Sequence, residues 1–396
     1  EEAGTAPPAK GNLVVAARVD GLKRTRPRVA QAALRKFIGQ DAERIDLNDV
    51  RAAILDTGIL EPLEVEILET EGGSLIRAEV QDKWSIFPIP IFFIGSGEFQ
   101  AGAAFYDANS LGLNHKTALM GMYQQEGWMV YGMYAAPPGG KGLPGWSLSG
   151  AFSRSRREDQ DQKQEETLRR FNLDSLSAAA SLNYRFTDTL GASLRFGYAG
   201  RFLRETEEPL RAPEKDAQGL RMGAELSLRK TSWDGYFLSE KSASLAYAWF
   251  LGLGSPSFHS LSFDGTLQHS VFPGFRTDLR GSLAYDPGAG VLFESGPGRA
   301  RVNILPRSFS ARHYAGLSLG LEKYLCKFSF GTLSLLAAWQ TAYSYGSILE
   351  GQFDQGPAAA VSLYLSKLAI PALGGGLAYN LTREKFQFYF SIGMSF

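Results

Sequence analysis

Residues Lys385 to Phe396 read KFQFYFSIGMSF. Phe386, Phe388, Phe390, Ile392, Met394 and Phe396 fall on one face of an extended chain, and Lys385, Gln387, Tyr389, Ser391, Gly393 and Ser395 fall on the other. A period of two is the mark of a β-strand, because successive side chains point to opposite faces. One face here suits lipid and the other a polar lumen, as in the strands of a transmembrane barrel.

The same alternation recurs upstream. Leu220, Met222, Ala224, Leu226 and Leu228 oppose Arg221, Gly223, Glu225, Ser227 and Arg229; Ala315, Leu317, Leu319 and Leu321 oppose Gly316, Ser318, Gly320 and Glu322. Charge and glycine take the phase opposite the leucines. Turns are read at Gln125-Glu126-Gly127, Pro137 to Gly145, Thr187-Asp188-Thr189, Pro287-Gly288 and Thr382-Arg383-Glu384. Counted from Phe99, these runs give about sixteen strands, the even number expected of single-chain bacterial barrels. A soluble sandwich would need a second sheet to cover so much apolar face, and no blade-length repeat points to a propeller. The fold class is therefore mainly β: an antiparallel transmembrane barrel over residues 98–396, behind a small α/β domain at 12–83, with a flexible segment at 1–11 and a linker at 84–97.

Composition agrees. The chain has 396 residues with 44 glycines and 12% aromatics, a profile of many short strands and tight turns. Its single cysteine, Cys326, excludes an internal disulfide framework. Lys plus Arg and Asp plus Glu are both 41, so nothing in the net charge argues for a nucleic-acid partner. The longest apolar stretch, IFPIPIFFI from Ile86 to Ile94, is far short of the roughly 20 residues that a spanning helix needs, and it carries two prolines. The opening EEAGTAPPAKG lacks a charged, apolar leader and is read as that of a mature exported chain.

The first eighty residues have a different texture. LVVAARV from Leu13 to Val19 reads as a strand. Arg26 to Phe37 places Val29, Ala32, Ala33 and Phe37 on one helical face. Leu47 to Leu55 forms a second helix, with Asp46 as N-cap, Val50, Ala53 and Ile54 on its apolar face, and Gly58 as its stop. Two strands follow, around Leu63 to Leu68 and Leu75 to Val80, joined at Glu71-Gly72-Gly73. The order is strand, helix, helix, strand, strand.

That order, with LNDVRAAILDTGILEPLEVEILET and LIRAEVQDKW, resembles a polypeptide-transport-associated (POTRA) domain. GAAFYDANSLG, with Gly102, Asp107, Asn109 and Gly112, resembles the first barrel hairpin of the BamA and TamA superfamily of outer-membrane insertases and translocators. Together with the aromatic C-terminus, the resemblance covers almost the whole chain. It implies a bacterial outer-membrane location with the POTRA-like domain in the periplasm. It also implies a seam between the first strand (near Phe99 to Asp107) and the last, carried by Phe386, Phe388, Phe390, Gly393 and Phe396. The partners implied are outer-membrane lipid, unfolded outer-membrane protein clients or an exported polypeptide, and accessory periplasmic proteins. The alternatives are a two-partner-type secretion pore and a passive porin-like barrel.

The family's sixth extracellular loop carries a V-R-G-F/Y motif whose arginine pairs with acidic groups on the inner wall. Here Pro306-Arg307-Ser308-Phe309 takes its place, between the eleventh and twelfth strands, and Glu322 takes the place of the acidic partner. The resemblance implies a lumenal lock of Arg307, Phe309 and Glu322. Ser308 replaces the motif's glycine and tolerates fewer backbone conformations, so Arg299 or Arg301 is the alternative inserted residue.

Two charged stretches, Arg154 to Arg170 and Arg201 to Gln218, are read as solvated loops or strand extensions. With sixteen strands counted from Phe99, parity puts both on the periplasmic side. Gly316-Leu317-Ser318-Leu319-Gly320 spells G-x-S-x-G, but a nucleophile elbow needs a strand-to-helix turn and partners that are lacking here. His115, His259, His269 and His313 have no metal-ligand spacing. Asn380-Leu381-Thr382 is read as a turn rather than a glycosylation site. No catalytic residue, metal or cofactor is expected, and the chain is not read as an enzyme.

Overall fold

The computed structural model describes residues 13–95, 98–124, 127–138, 143–161, 166–187, 189–233, 237–294, 302–305, 311–346, 348, 351–365 and 372–392. The chain forms two compact units. One comprises Glu1–Phe87 with Tyr106–Thr117; the other takes in Pro88–Phe105 and most of the chain beyond Ala118.

In the smaller unit the elements run β1 (Val14–Asp20), α1 (Pro27–Leu34), α2 (Leu47–Leu55), β2 (Leu60–Thr70) and β3 (Gly73–Asp82). The sheet order is β1-β3-β2, with β1 parallel and β2 antiparallel to β3. Pro27 stands in the first turn of α1, where its missing N–H is one that no helical carbonyl would have met. Asp46 caps α2, its side chain accepting from the Asn48 N–H at 2.8 Å. The face of α1 that is buried carries Ala30 and Leu34, joined by Phe37; of the four residues expected there, Phe37 is buried and Val29 packs at the edge. These side chains close on Val50, Ala53, Ile54, Val65, Ile76, Ala78 and Val80. A register shift between Pro62 and Glu64 leaves Leu63 exposed, which the alternation alone did not reveal.

Among the described residues, the large sheet has sixteen strands in strictly sequential order. They are β4 (Ile86–Gly95), β5 (Glu98–Ser110), β6 (His115–Gln124), β7 (Gly127–Ala136), β8 (Gly145–Asp161), β9 (Glu166–Arg185), β10 (Leu190–Arg204) and β11 (Ala217–Trp233). The rest are β12 (Leu238–Gly252), β13 (Phe258–Phe272), β14 (Phe275–Tyr285), β15 (His313–Phe328), β16 (Gly331–Tyr345), β17 (Gln352–Leu365), β18 (Ala372–Asn380) and β19 (Lys385–Ile392).

The segment 84–97, expected as a linker, holds the first strand of this sheet, and the strand beginning near Phe99 is the second. Its two prolines, which counted against a spanning helix, are compatible with this strand, since β4 stands at the end of the sheet order, where proline is tolerated. Backbone groups facing one neighbour recur every second residue. The Ser85 carbonyl accepts from Ala108 N–H at 2.8 Å, so alternation turns Phe87, Ile89 and Ile91 toward β5 and leaves Pro88 and Pro90 on the outer edge.

The extra strand also shifts the parity of every later turn by one. Connections β8–β9 and β10–β11 therefore share an end with the long β14–β15 loop, not the end expected from a count begun at Phe99. The charged stretch 154–170 is largely strand: β8 and β9 extend well beyond their shorter neighbours.

Exposure in the large sheet is inside out. Leu226, Leu228, Leu317, Leu319, Leu321, Val361, Phe386 and Phe388 are exposed, whereas Ser318, Glu322, Ser334, Gln340, Ser344, Asp354 and Gln387 are buried. A soluble sheet would reverse this pattern; a barrel wall in lipid requires it. No helix among the described residues is long and apolar enough to cross a membrane, a statement that does not bear on strands.

Candidate functional site

The inner face of the large sheet gathers most of the buried charge, and three groups of residues organise it. The first lies near the ends of β14 and β15 that meet the short turns. Arg276, Asp278 and Arg280 of FRTDLRGSLAY share the inward phase. Arg276 is 1% exposed and Glu322, its cross-strand partner, 2%. Arg276 Nε and Nη2 donate to Glu322 Oε2 at 2.8 and 2.5 Å. The other carboxylate oxygen, Oε1, accepts from the Tyr364 hydroxyl at 2.7 Å and from the Ser334 hydroxyl. Phe237 covers the guanidinium, 4.7 Å from its ring centre, a favourable site for a cation. Beside this pair, Arg280 donates to both oxygens of Asp278 at 2.6 Å.

Glu322 is thus inward, as the alternation placed it, and its described partners come from the wall. Arg307, Ser308 and Phe309, with the alternatives Arg299 and Arg301, lie outside the described residues. So do Gly393 and Phe396, and the side chain of Phe390. Phe386 and Phe388 point outward, each 55% exposed.

The second group holds the middle of the β14–β15 loop. Val302, Ile304 and Leu305 are buried against Ala284, Tyr314, Ala342, Ala358 and Ala378, so this loop folds back onto the inner wall. Small inward residues on β16 to β18 make the room. The Asn303 N–H donates to Gln340 Oε1 at 2.7 Å, and Asn380 Nδ2 donates to the Ile304 carbonyl at 3.0 Å. Burying each of the three aliphatic side chains contributes about 1.5–3 kcal/mol, against about 1–2 kcal/mol per residue for fixing backbone. The polar anchors then decide where the loop docks. Asn380 also donates to Asp354, which receives both Arg383 Nε and Nη2 at 2.7 and 2.9 Å. Its own Oδ1 accepts from Thr382 and Arg383 N–H, so Asn380 serves as the turn residue it was read to be.

The third group holds the loop's root. Glu294, 1% exposed at its side chain, meets Arg157 at 2.5 Å and Arg169 at 3.1 Å, both from the extended ends of β8 and β9. Arg157 Nη1 also donates to the Val291 carbonyl at 2.7 Å, and Asp159 lies between the two arginines at 3.3 and 3.2 Å. Leu292 packs on Phe171 and Leu173. Of the charges read as solvated loops or strand extensions, Arg157, Asp159 and Arg169 lie on extensions of β8 and β9 and clamp the loop's root.

The inner faces of β9 to β13, with Tyr314 of β15, line a cavity of 510 Å³ with Arg195, Arg221, Glu225 and Asp264 in its wall. Ser318 is buried mid-strand and accepts from Gln340 Nε2 at 3.3 Å. Among the described residues, no group of histidine, cysteine and carboxylate side chains is arranged to hold a metal ion. Cys326 is a partly exposed thiol near the end of β15. The sequence signal for Arg276 was its phase with Asp278 and Arg280; nothing in one strand signalled that Glu294 would meet Arg157 and Arg169.

The hairpin residues singled out in sequence divide. Gly102 sits where a Cβ would lie 2.3 Å from the Gly121 carbonyl oxygen of the neighbouring strand. Asp107, Asn109 and Gly112 belong instead to the smaller unit. Arg24 grips Asp107 in a two-pronged contact at 3.1 and 2.6 Å, and Asn109 Nδ2 donates to Thr25 Oγ1 at 2.8 Å. The strap that carries Arg24 is held by Asp82, which accepts the N–H groups of Lys23, Arg24 and Thr25 at 2.6, 2.9 and 3.2 Å and the Thr25 hydroxyl. Burial works against the Asp82 charge, yet these donors together keep its carboxyl below the usual range.

No protein-family model matches the sequence, and no curated protein is detectably similar to it in sequence. Solved structures are similar in fold. BamA from Haemophilus ducreyi, in a form lacking POTRA domains 1–3, aligns over 96% of this chain and 84% of its own, at 14% identity and a TM-score of 0.57. CdiB from Acinetobacter baumannii aligns over 97% and 74%, at 13% identity and a TM-score of 0.64. CdiB from Escherichia coli aligns over 97% and 76%, at 14% identity and a TM-score of 0.63. The chain therefore has the fold of these BamA and CdiB structures.

Proposed function

We propose that this chain inserts β-barrel clients into the outer membrane or translocates a polypeptide across it, acting at a seam between β4 and β19 without chemistry or cofactor. The observation that carries this reading is the outer edge of β4. Pro88 and Pro90 supply no N–H on the side turned away from β5, so a neighbour on that side meets acceptors without two of the usual donors. An unpaired edge in lipid is costly, and a seam with fewer bonds to break opens more readily to an incoming client strand, whose pairing then lowers the energy. The N-terminal β-α-α-β-β unit fits a single POTRA-like domain facing the periplasm, where a client or an accessory protein would arrive.

The loop core of Val302, Ile304 and Leu305 in the lumen disfavours a passive porin, since it occupies the space a steady aqueous pore would need. The test is reconstitution of the chain in lipid vesicles with an unfolded outer-membrane barrel as client, scored by protease protection and by heat-modifiable migration. Faster client insertion than in protein-free vesicles, abolished by a disulfide between β4 and β19, is expected. A large, steady conductance with no acceleration of insertion would make the chain a porin.

A further inference from the structure

The β5–β6 turn is built into the N-terminal module. β5 belongs to the larger unit up to Phe105 and to the smaller one from Tyr106 onward. The joint is dense. Besides the two Arg24 contacts, Asp107 accepts from the Asn109 N–H at 2.9 Å and from the hydroxyls of Ser110 at 3.1 Å and Ser85 at 3.3 Å. Arg24 Nη1 also donates to Ser85 Oγ. Arg26 donates through its N–H to the Gly112 carbonyl at 2.8 Å and through Nε to the Leu111 carbonyl at 3.1 Å. Gly112 has φ +72°, and a Cβ there would lie 2.2 Å from the Arg24 carbonyl oxygen. The close fit thus depends on glycine both for its backbone conformation and for its lack of a side chain.

We propose that Arg24 is a positioning residue that fixes the β5–β6 turn to the N-terminal module, so that a load on the module passes along β5 to the edge strand β4. The physical reason lies in Asp107. It is 6% exposed, and Arg24 is its described cationic partner, so sliding the turn off the module would strand a buried carboxylate. Asp82 makes the joint stiff by holding the strap at residues 23–25 in the shape that presents Arg24. The coupling rests on the seam reading above; the joint itself does not.

The experiment uses the full chain, with Cys326→Ser as background and spin labels at exposed Arg51 of α2 and exposed Leu111 of the turn. Arg24→Met removes both prongs, and Arg24→Glu with Asp107→Arg restores the pair in reverse. Expected for Arg24→Met are a broadened label-to-label distance distribution, an unchanged heat-modifiable barrel band, and client insertion slowed about fivefold or more, the lower end of ordinary coupling between sites. The reversed pair should narrow the distribution again and recover insertion, which loss of packing alone would not do. An unchanged distribution in Arg24→Met, or a broadened one with undiminished insertion, overturns the proposal. A parent chain that inserts no client defeats the functional reading alone, and the distance comparison still decides whether Arg24 fixes the turn.

Discussion

Replacing Arg276 by methionine should be among the most destabilising single changes in the barrel. The substitution leaves the Glu322 carboxylate, 2% exposed, with two hydroxyl donors and, among the described residues, no cation on Oε2. Removing one partner of a buried pair costs about 3–5 kcal/mol, because the remaining charge keeps its desolvation penalty and loses its attraction. Glu322→Gln should cost less. The amide keeps the shape, and the guanidinium still lies over Phe237, a contact that contributes about 0.5–2 kcal/mol. Arg276→Met combined with Glu322→Leu should recover most of the loss, since neither charge is then left unpaired. The assay is guanidinium unfolding in lipid vesicles, followed by tryptophan fluorescence and by heat-modifiable migration, closed as a double-mutant cycle. A loss under about 1 kcal/mol for Arg276→Met would place the residue with ordinary surface positions and refute the reasoning. So would an Arg307→Ala variant that alone shows the full coupling to Glu322, for that would return Glu322 to the loop lock implied by resemblance.

Two further outcomes follow from the wall and the module. Leu319→Arg places a charge on the lipid face and should cost about 2–4 kcal/mol in the same vesicle assay if it lies near the bilayer midplane, whereas a soluble-side residue would tolerate it within a few tenths. Asp82 has its carboxyl lowered in the fold, so its contribution to module stability is present above its unfolded value of 3.8 and is lost as pH falls through the lower folded value. Hydrogen exchange at the Lys23, Arg24 and Thr25 amides should therefore speed up in that acid range, and Asp82→Asn should show fast exchange at neutral pH; equal protection in both chains would contradict the assignment.

The barrel was legible in sequence because its signal is local. A wall with lipid outside and polar groups within imposes a period of two on every strand, and KFQFYFSI displays it without reference to any other residue. The β-α-α-β-β order was legible for the same reason, through the Asp46 cap, the helical spacing of Val50, Ala53 and Ile54, and the turn at Gly72-Gly73. What failed was the first strand. IFPIPIFFI lacks clean alternation and carries two prolines, features that exclude a central strand but not an edge, and only the sheet order shows that it is an edge. That omission carried through to the parity of the charged connections.

The site was legible in phase but not in partnership. Alternation put Glu322 inside, yet it did not say that Arg276, Tyr364 and Ser334, on three other strands, would meet there. Glu294 lies 137 residues from Arg157 and 125 from Arg169, and their pairing exists only because β8 and β9 outrun their neighbours and the β14–β15 loop turns inward. Asp107, Asn109 and Gly112 were picked out as a hairpin; that the hairpin is held by Arg24 and Thr25 is a long-range fact. The sequence by itself determined which side of each strand meets lipid, since that is fixed residue by residue. The tertiary structure decided which buried charges compensate one another, since a lumenal charge is tolerated only where the folded wall or loop brings its partner.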